Sequence, residues 1–325
     1  MMKFRCKNLL VTGGAGFIGS NFIEYLLNKY DEIMIFNLDS LTYAGNLDNT
    51  KSFEYNKRYK FIHGNICDEL LLNKIFKYYK IDGVINFAAE SHVDNSIKNP
   101  EIFIDTNVKG VYKLLNTCFE NWMNSHFEYK PNFSHSRFHQ ISTDEVYGSI
   151  AHGSFKEEDV CKPNSPYSAS KAASDMIVRS YSKTYGLNTV ISRCSNNYGL
   201  NQHNEKFIPM VINSIKNNKP IKVYGDGNNI RDWIYVLDHC KAVDLIYNLA
   251  EAGSVYNVGA KNEMTNLELI DLIYSLMLVK NKKSLNFVTD RYGHDERYSV
   301  DISKIKNDLC WIPEYDMTSS LKKIL

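Results

Sequence analysis

Residues 9–20 constrain the fold of this chain more than any other part of its sequence. An apolar run over residues 9–11 has the length of a buried strand, and small turn residues follow it directly. Helical spacing of apolar residues then resumes at Phe17. The stretch therefore predicts a strand, a tight turn and a helix in immediate succession.

Glycines in this turn suit an anionic ligand. Gly14, Gly16 and Gly19 satisfy the pattern G-x-G-x-x-G, and Gly13 with the latter two satisfies G-x-x-G-x-x-G. Backbone without a Cβ lets a pyrophosphate approach the first turn of a helix, whose free N–H groups and dipole favour an anion. A glycine turn that binds nothing is the alternative for the motif alone. We expect contacts to a dinucleotide from Gly13, Gly16, Phe17, Ile18 and Gly19.

An acidic residue at the end of the second strand strengthens the dinucleotide hypothesis. A helix over residues 21–29 leads to an apolar strand over residues 33–38, which ends at Asp39. Asp39 lies about 20 residues past the last glycine, where a carboxylate can accept a hydrogen bond from a ribose 2′-hydroxyl. Because the same carboxylate would repel a 2′-phosphate, the sequence favours NAD over NADP as cofactor.

Strands and helices continue to alternate after Asp39, which predicts an α/β fold. Further strands are indicated over residues 61–66, 83–89, 138–142 and 187–192, with helical patterns between them. This alternation predicts a Rossmann-like, doubly wound parallel sheet. The ends of two of these strands would meet the cofactor through Asn65, Ile66 and Ala88.

The pattern changes at Cys194, where polar loops replace the regular alternation. We expect residues 1–193 to form the NAD-binding domain and residues 194–325 to form a smaller substrate-binding domain. Residues 229–252 are expected to return to the first domain. The C-terminal domain would therefore be interleaved with the first.

Composition excludes several classes of function. The 325 residues carry a formal net charge of +1, which gives no global argument for a nucleic-acid or membrane partner. The 7 cysteines are scattered and form no C-x-x-C pair, so neither a disulfide framework nor a metal site is indicated. We therefore expect a cytoplasmic protein without a metal.

A tyrosine and a lysine four residues apart supply the first indication of chemistry. Tyr167 and Lys171 lie one turn apart on a predicted helix and so share one face. A tyrosine has a pKa near ~10 and is a poor base at neutral pH unless a positive charge stabilises its phenolate. Such a pair also occurs by chance on solvated helices, but here Ser142 and Thr143 end the preceding strand.

Together these stretches resemble the extended short-chain dehydrogenase/reductase family, and within it the nucleotide-sugar 4,6-dehydratases. The matching stretches include Thr-Gly-Gly-Ala-Gly-Phe-Ile-Gly-Ser, Ala-Ala-Glu-Ser-His-Val-Asp, Ser-Thr-Asp-Glu-Val-Tyr-Gly, Tyr-Ser-Ala-Ser-Lys and Ser-Asn-Asn-Tyr-Gly. They run from Thr12 to Tyr298, nearly the whole chain. The most specific is Thr143-Asp144-Glu145, because related epimerases share the Tyr and Lys but lack the adjacent acidic pair.

The resemblance implies a dehydration without net redox change. Tyr167, beside Thr143 and Lys171, would take the proton of the sugar 4-hydroxyl while the C4 hydride passes to NAD. Glu145 would then remove the proton on C5 and Asp144 would protonate the departing 6-hydroxyl, after which the hydride returns to C6. Such an elimination needs one base and one acid.

The resemblance also implies which residues bind the substrate, with dTDP-glucose expected and UDP-glucose as the rival. Asn196 and Lys206 would contact the sugar and diphosphate, Arg231 and Arg297 the phosphates, and Tyr224 would stack on the pyrimidine. The remaining expected substrate contacts are Ser91, His92, Thr143, Asn266 and Tyr298. The sequence departs from the family pattern near this region at Asn65, Asn95, Leu200 and Tyr292.

The resemblance also implies a dimer, and two kinds of alternative function have to be weighed. The family commonly forms a homodimer through two long helices, here expected over residues 100–123 and 167–185. A sugar-nucleotide 4-epimerase or decarboxylase is the nearest alternative, and Asp144 with Glu145 argues against it. A non-catalytic NAD-binding regulator is the alternative of a different class, and the intact Tyr167 and Lys171 argue against that one.

Overall fold

The computed structural model describes residues 4–280 and 284–325. Its strands are β1 (Asn8–Thr12), β2 (Met34–Asp39), β3 (Tyr59–His63), β4 (Gly83–Asn86), β5 (Met123–Ser125), β6 (Glu128–Tyr129), β7 (Arg137–Thr143), β8 (Thr189–Cys194), β9 (Asn196–Tyr198), β10 (Ile221–Tyr224), β11 (Ile230–Tyr235), β12 (Val255–Val258), β13 (Glu263–Thr265) and β14 (Leu285–Val288). Its helices are α1 (Phe17–Lys29), α2 (Glu69–Tyr79), α3 (Val93–Lys98), α4 (Pro100–Phe103), α5 (Val111–Trp122), α6 (Pro166–Tyr185), α7 (Phe207–Lys216), α8 (Val236–Leu249), α9 (Asn266–Leu276), α10 (Ser303–Leu309) and α11 (Met317–Leu321).

A parallel sheet forms the centre of the molecule. In the described part of the chain it has 7 strands in the order β12-β8-β7-β4-β1-β2-β3, so the chain starts in the middle and winds outwards in both directions. The predicted α/β, doubly wound parallel sheet is confirmed.

Both faces of the sheet are buried under helices, which explains the continuous apolar runs of its strands. Leu9 and Val11 of β1 pack with Phe22 of α1 and Val243 of α8 on one face. Leu10, between them, points to the opposite face and joins the core formed with α2, α5 and α6. The alternation of side chains along a strand thus divides the core into two layers.

Smaller sheets lie in the C-terminal half. β9 and β13 flank β11, and β10 pairs with β14. The sequence predicted a polar loop around residues 195–199, and this was wrong for Asn196–Tyr198, because backbone pairing with β11 holds these polar residues in a strand. β12 leaves this region and joins the central sheet beside β8.

The long helix predicted over residues 100–123 is interrupted. Between α4 and α5 the hydrogen bonding of Ile104–Gly110 is that of a π-helix. Asn107, in this segment, is buried and bonds to the backbone of Glu90 and to the Ser170 hydroxyl on α6. Local widening of this kind is frequent at functional sites. The surface excursion predicted over residues 124–137 contains the short β5–β6 hairpin.

Local sequence fixes the position of α6, the helix that carries Tyr167. Ser165 caps its first turn by accepting from the backbone N–H of Ser168, whose hydroxyl accepts from the Ser165 backbone in return. Pro166 occupies the first helical position, and Gly186 ends the helix with φ +73°. No helix among the described residues is long and apolar enough to cross a membrane.

Candidate active site

A cavity of about 730 Å³ opens at the carboxyl edge of the central sheet, where ligands bind in open α/β folds. Every expected cofactor contact lines it: Gly13, Gly16, Phe17, Ile18, Gly19, Asp39, Asn65, Ile66, Ala88, Tyr167 and Lys171. The other expected catalytic residues, Thr143, Asp144 and Glu145, also line it, as do Ser91, Asn196 and Lys206. The remaining expected substrate contacts, His92, Tyr224, Arg231, Asn266, Arg297 and Tyr298, are not among its lining residues.

The glycine turn leaves no room for side chains at two positions. Gly13 has φ +69°, and a Cβ there would lie 2.7 Å from the backbone nitrogen of Ala88. A Cβ on Gly19 would collide with the Gly13 carbonyl oxygen. Gly16 precedes α1, and no side chain caps the helix there. The backbone therefore packs closely while the first turn of α1 faces the cavity, which fits a phosphate group.

Asp39 is fixed at the end of β2 by two backbone donors. Its Oδ2 accepts from the Ala15 N–H at 2.9 Å, and its Oδ1 accepts from the Leu41 N–H at 2.8 Å. Burial raises the pKa of Asp39, whereas these two hydrogen bonds act to lower it. Each carboxylate oxygen keeps a lone pair, so the group can still accept from a ribose hydroxyl in the cavity.

Tyr167 and Lys171 are both buried on α6. The Lys171 ammonium donates to the Ile141 carbonyl oxygen of β7 at 2.7 Å. Burial raises the pKa of Tyr167 well above its usual range and the charge of Glu145 raises it further, while a hydrogen bond with Thr143 acts in the opposite direction. Tyr167 is therefore a phenol at neutral pH in the protein alone.

The two adjacent carboxyl groups sit in different electrostatic surroundings. Burial raises the pKa of Asp144 well above its usual range, and the negative charges of Glu145 and Asp232 raise it further. Burial also raises the pKa of Glu145, but the cations Arg231 and Lys206 act to lower it. Both pKa values are raised, but two negative charges add to the effect of burial at Asp144 whereas two cations oppose it at Glu145. This difference is in the direction needed for one acid and one base.

Thr143 organises this acidic pair. Its hydroxyl donates to Asp144 Oδ1 at 3.3 Å and accepts from the Glu145 backbone N–H at 3.3 Å. The other oxygen of Asp144, Oδ2, is buried without a hydrogen-bond partner in the described part of the chain. A buried polar atom of this kind is available to a ligand.

Lys206 and Ser91 join the two halves of the chain across the cavity. The Lys206 ammonium donates to the Ser91 carbonyl oxygen at 3.1 Å, and burial lowers its pKa. Beside them, His92 Nε2 lies 3.5 Å from a carboxylate oxygen of Glu205. Burial lowers the pKa of His92, and its Nδ1 accepts from the Asn95 backbone N–H at the start of α3.

Two expected substrate contacts, Arg231 and Tyr298, form a stacked pair outside the cavity lining. The Arg231 guanidinium lies 4.3 Å from the ring centre of Tyr298 and donates to the Asp295 carbonyl oxygen at 2.9 Å. The Tyr298 hydroxyl donates to Asp295 Oδ2 at 2.7 Å. Asn266 begins α9, and its backbone N–H donates to the Asn229 carbonyl oxygen.

The structure places Arg297 in a bidentate ion pair rather than among the cavity residues. Its Nε and Nη2 lie 2.7 and 2.8 Å from the two carboxylate oxygens of Glu263. A third nitrogen, Nη1, donates to the Gly153 carbonyl oxygen at 2.8 Å. Most of the donors that would bind a phosphate are thus already occupied by the protein.

Sequence reasoning missed Arg291, whose charge acts on the catalytic carboxyl group of Glu145. Its Nε is 2.5 Å from an oxygen of Asp94, and its guanidinium stacks 4.3 Å from the ring centre of Tyr224. The positive charge of Arg291 also acts to lower the pKa of Glu145. Arg291 lies in a charged loop over residues 290–297, and no local sequence pattern distinguishes it from the other charged residues there.

Within residues 4–280 and 284–325, no group of three or more His, Cys, Asp or Glu side chains is arranged to hold a metal ion. The cysteines of this region are free thiols.

Comparisons with known proteins cover nearly the whole chain. A family model described as GDP-mannose 4,6 dehydratase matches residues 10–324. The dTDP-glucose 4,6-dehydratase of Neisseria gonorrhoeae is 44% identical over 330 residues, which span 98% of this chain and 94% of that protein.

Solved structures give the same result. A crystal structure of a dTDP-glucose 4,6-dehydratase from Streptomyces venezuelae, with NAD and TDP bound, is similar with a TM-score of 0.90 and 41% identity, covering 97% of this chain and 95% of that one. A UDP-glucose 4-epimerase from Thermotoga maritima shares the fold at a TM-score of 0.86 with only 26% identity, covering 97% and 96% of the two chains. The family resemblance inferred from the sequence is confirmed. The chain belongs to the nucleotide-sugar 4,6-dehydratase family, and the relatives described above at 44% and 41% identity are dTDP-glucose 4,6-dehydratases.

Proposed function

We propose that this chain removes water from dTDP-glucose to give the 4-keto-6-deoxy sugar nucleotide, with NAD as its bound cofactor. One observation carries the proposal: Asp144, Glu145 and Tyr167 line a single cavity, and negative charges act on Asp144 whereas the cations Arg231 and Lys206 act on Glu145. An acid and a base set side by side are what an elimination across a C–C bond needs.

The residues at the other end of the cavity fit NAD. The glycine turn brings bare backbone to the N-terminus of α1, where a pyrophosphate is favoured, and Asp39 can accept from the adenosine ribose. Asn65, Ile66 and Ala88 complete this part of the wall. When bound, NAD supplies a hydride acceptor for C4 of the sugar and a hydride donor for C6.

Tyr167 is proposed to take the proton of the sugar 4-hydroxyl. Burial and the charge of Glu145 raise the pKa of Tyr167, so its phenolate needs stabilising partners, and a hydrogen bond with Thr143 acts in that direction. Lys171 lies one helical turn away on the same element and fixes α6 to β7 through the Ile141 carbonyl. We assign Lys171 the role of placing a positive charge beside the phenolate that forms.

Glu145 and Asp144 are proposed to act after this first step. A ketone at C4 acidifies the proton on C5, and Glu145, whose ionised form is favoured by Arg231 and Lys206, removes it. Asp144, whose protonated form is favoured by burial and by two negative neighbours, gives its proton to the departing 6-hydroxyl. The two side chains thus divide the base and acid roles between them.

The nucleotide is proposed to bind where the two halves of the chain meet. Ser91, Asn196 and Lys206 line the cavity beside the catalytic residues and are assigned to the sugar and diphosphate. The remaining substrate contacts, which stay predictions, are His92, Tyr224, Arg231, Asn266, Arg297 and Tyr298. The names of the full-length relatives support dTDP-glucose over UDP-glucose.

Two other functions remain less well supported. The similarity to a UDP-glucose 4-epimerase is weaker in identity, and an epimerase has no use for the acid and base supplied by Asp144 and Glu145. A decarboxylase of the same family is disfavoured on the same ground. A non-catalytic NAD-binding regulator would not need Tyr167 and Lys171 buried in the cavity wall.

The decisive experiment is incubation of the purified protein with dTDP-glucose and, separately, with UDP-glucose, followed by mass analysis for the loss of one water. We expect dehydration of dTDP-glucose and a lower rate with UDP-glucose. The variant carrying both Asp144→Asn and Glu145→Gln is the matched control and should be inactive on both. Absence of dehydration of either substrate by the unmodified protein would contradict the proposal.

We propose the division into an NAD-binding domain of residues 1–193 with residues 229–252, and a substrate domain formed by the rest of residues 194–325. The pairing of β12 with β8 supports a return of the chain to the first domain and would extend the returning segment through Val258. A cytoplasmic location is proposed as well, because the scattered free cysteines suit a reducing compartment.

We also propose a homodimer. Apolar side chains are exposed on neighbouring faces of the interrupted helix and α6, among them Ile102 at 42%, Tyr112 at 48% and Met176 at 48% exposure. A contact that buried them would pair these helices with their copies in a second chain. Light scattering at micromolar concentration should give twice the mass of one chain, and a monomer would contradict the assignment.

A further inference from the structure

Glu90 is a buried acidic residue that none of the steps above uses. It follows β4, is only 6% exposed, and lies in the wall of the active-site cavity. Its backbone forms hydrogen bonds, but among residues 4–280 and 284–325 its carboxylate has neither a hydrogen-bond donor nor a cation as a partner. Because Glu90 lines the cavity, a ligand bound there can supply the missing donors.

The fold holds this residue in place from the backbone. The Glu90 N–H donates to Asn107 Oδ1 at 2.9 Å, and Asn107 Nδ2 donates to the Glu90 carbonyl oxygen at 3.0 Å. The same Asn107 amide donates to the Ser170 hydroxyl at 2.9 Å, and that hydroxyl donates to the Tyr167 carbonyl oxygen at 2.7 Å. Glu90 is thereby fixed relative to the helix that carries Tyr167.

The surroundings of Glu90 suggest which kind of ligand group could donate a hydrogen bond to its carboxylate. Burial raises the pKa of Glu90 and the negative charge of Glu205 raises it further, and in the described part of the chain no positive charge acts against them. Hydroxyl groups can donate to a carboxylate, and such charge-assisted hydrogen bonds are about twice as strong as neutral ones. Both a glucosyl ring and the riboses of a dinucleotide carry such hydroxyls.

We infer that Glu90 is a ligand-binding residue whose carboxylate accepts a hydrogen bond from a hydroxyl group of a molecule bound in the cavity, either a ring hydroxyl of the sugar substrate or a ribose hydroxyl of the cofactor. The inference rests on the proposed function, which places both molecules in this cavity. Glu90 then selects for hydroxyl groups that take no part in the reaction.

The test compares Glu90→Gln with Glu251→Gln, an exposed control in the loop after α8. Three quantities are measured on the purified holoprotein: the KM for dTDP-glucose, the fraction of NAD retained through gel filtration, and the ratio of kcat/KM between dTDP-glucose and its 2-deoxy and 3-deoxy analogues. We expect Glu90→Gln to raise the KM or to weaken NAD retention by about ten-fold, because a neutral acceptor replaces a charged one. The Glu251→Gln control should change none of the three.

The two possible ligands give different results. If Glu90 binds the sugar, one deoxy analogue is penalised in the unmodified protein but not in Glu90→Gln, and NAD retention is unchanged. If Glu90 binds the cofactor, NAD is lost while the analogue ratios stay equal. A folded Glu90→Gln protein with unchanged KM, unchanged NAD retention and unchanged analogue ratios would overturn the inference.

A second variant and a binding measurement allow a conclusion even if Glu90→Gln does not fold or the sugar is not dehydrated. Should the amide variant fail to fold, Glu90→Asp, which withdraws the carboxylate by one methylene, is measured in the same way and is expected to show the same selective loss. Calorimetric binding of dTDP-glucose reports on Glu90 whether or not the sugar is dehydrated. Failure of the unmodified protein to dehydrate dTDP-glucose therefore contradicts the proposed function, whereas equal binding of both dTDP-glucose and NAD by the variant and the control contradicts the role of Glu90.

Discussion

Lys171 and Ile141 tie together the two elements that meet in the active site. The ammonium on α6 donates to the main-chain carbonyl oxygen of β7 at 2.7 Å, two residues before Thr143. The helix that carries Tyr167 and the strand that leads to Asp144 and Glu145 are therefore held in a fixed relation. Replacing each catalytic side chain separately should therefore change its own step while the other side chains stay in place.

The two carboxyl groups should fail at different stages when they are replaced. In Asp144→Asn, Glu145 can still remove the C5 proton, so solvent deuterium should enter C5 of the sugar although water is not lost. In Glu145→Gln, deuterium entry at C5 should be strongly suppressed. Loss of either positioned group is expected to slow dehydration by on the order of 10² to 10⁴. Mass spectrometry of the recovered sugar nucleotide measures both effects, and near-normal dehydration by the double variant would contradict the assignment.

Tyr167→Phe should slow the first oxidation without abolishing binding. The phenylalanine keeps the packing of the ring but cannot take the proton of the 4-hydroxyl, so we expect kcat to fall by about 10² to 10⁴. The KM for dTDP-glucose should change much less. Tyr55→Phe is the control, because the Tyr55 side chain is 90% exposed. An unchanged kcat would assign the proton transfer to another group.

The pH dependence of kcat should report the raised pKa of Glu145. Glu145 must be ionised to act as a base, so activity is lost as the pH falls through its pKa, which burial holds above the ordinary value. Lys206 acts to lower that pKa, and Lys206→Met should therefore move the acidic limb of the profile to higher pH. The exposed Lys57→Met is the control. A limb that stays in place, or moves to lower pH, would show that Glu145 is not the group that titrates.

Asp39→Ala should reduce the preference for NAD over NADP. Removal of the carboxylate takes away an acceptor for the ribose hydroxyl, which should weaken NAD binding by about ten-fold, and it also removes the repulsion of a 2′-phosphate. Titration of each cofactor into the protein measures the two affinities. Asp31→Ala, on an exposed residue before β2, should leave both unchanged. Equal affinities for NAD and NADP in the unmodified protein would show that Asp39 does not face the ribose.

Arg137 should be important for stability rather than for catalysis. Its guanidinium is buried and donates to the carbonyl oxygens of Ile246, Tyr247 and Ala250 at the end of α8. Arg137→Ala would leave these acceptors without donors and should lower the free energy of unfolding by about 3 kcal/mol. Urea unfolding measures this loss, with the exposed Arg179→Ala as control. A loss no larger than that of the control would contradict the role given to Arg137.

Much of the fold could be predicted because its signals are local. The strand, glycine turn and helix at residues 9–29 follow from residue spacing, as does the position of Asp39 at a strand end. The acidic pair could be placed at the sheet edge because it directly follows the strand predicted over residues 138–142. Which of these residues act chemically remains a prediction until the variants are measured.

Other features depend on contacts between distant parts of the chain. Apolar residues are spaced as in a helix throughout residues 100–123, so the sequence does not show the π-helical segment within them. The hydrogen bonds of Asn107 in this segment go to Glu90 and Ser170, which lie elsewhere in the chain. Strand β9 could not be predicted, because its residues are polar and β11 supplies the pairing.

The positions of two arginines near the C-terminus could not be predicted either. Arg291 and Arg297 belong to the same charged loop, and the sequence does not show which acidic residue each side chain contacts. Their acidic partners decide this, since Arg291 pairs with Asp94 and Arg297 with Glu263. Both partners are distant in sequence, so no local pattern reports them.

The place of β12 in the central sheet has a consequence for synthesis of the chain. One edge of β8 pairs with β7, and the other edge pairs with β12. The residues of β12 are synthesised more than 50 residues after those of β8. Until residue 258 has left the ribosome, that edge of β8 presents open backbone groups to any other extended segment. A fragment that stops at residue 193 should therefore aggregate, and the N-terminal region should reach its native state only after most of the protein has been translated.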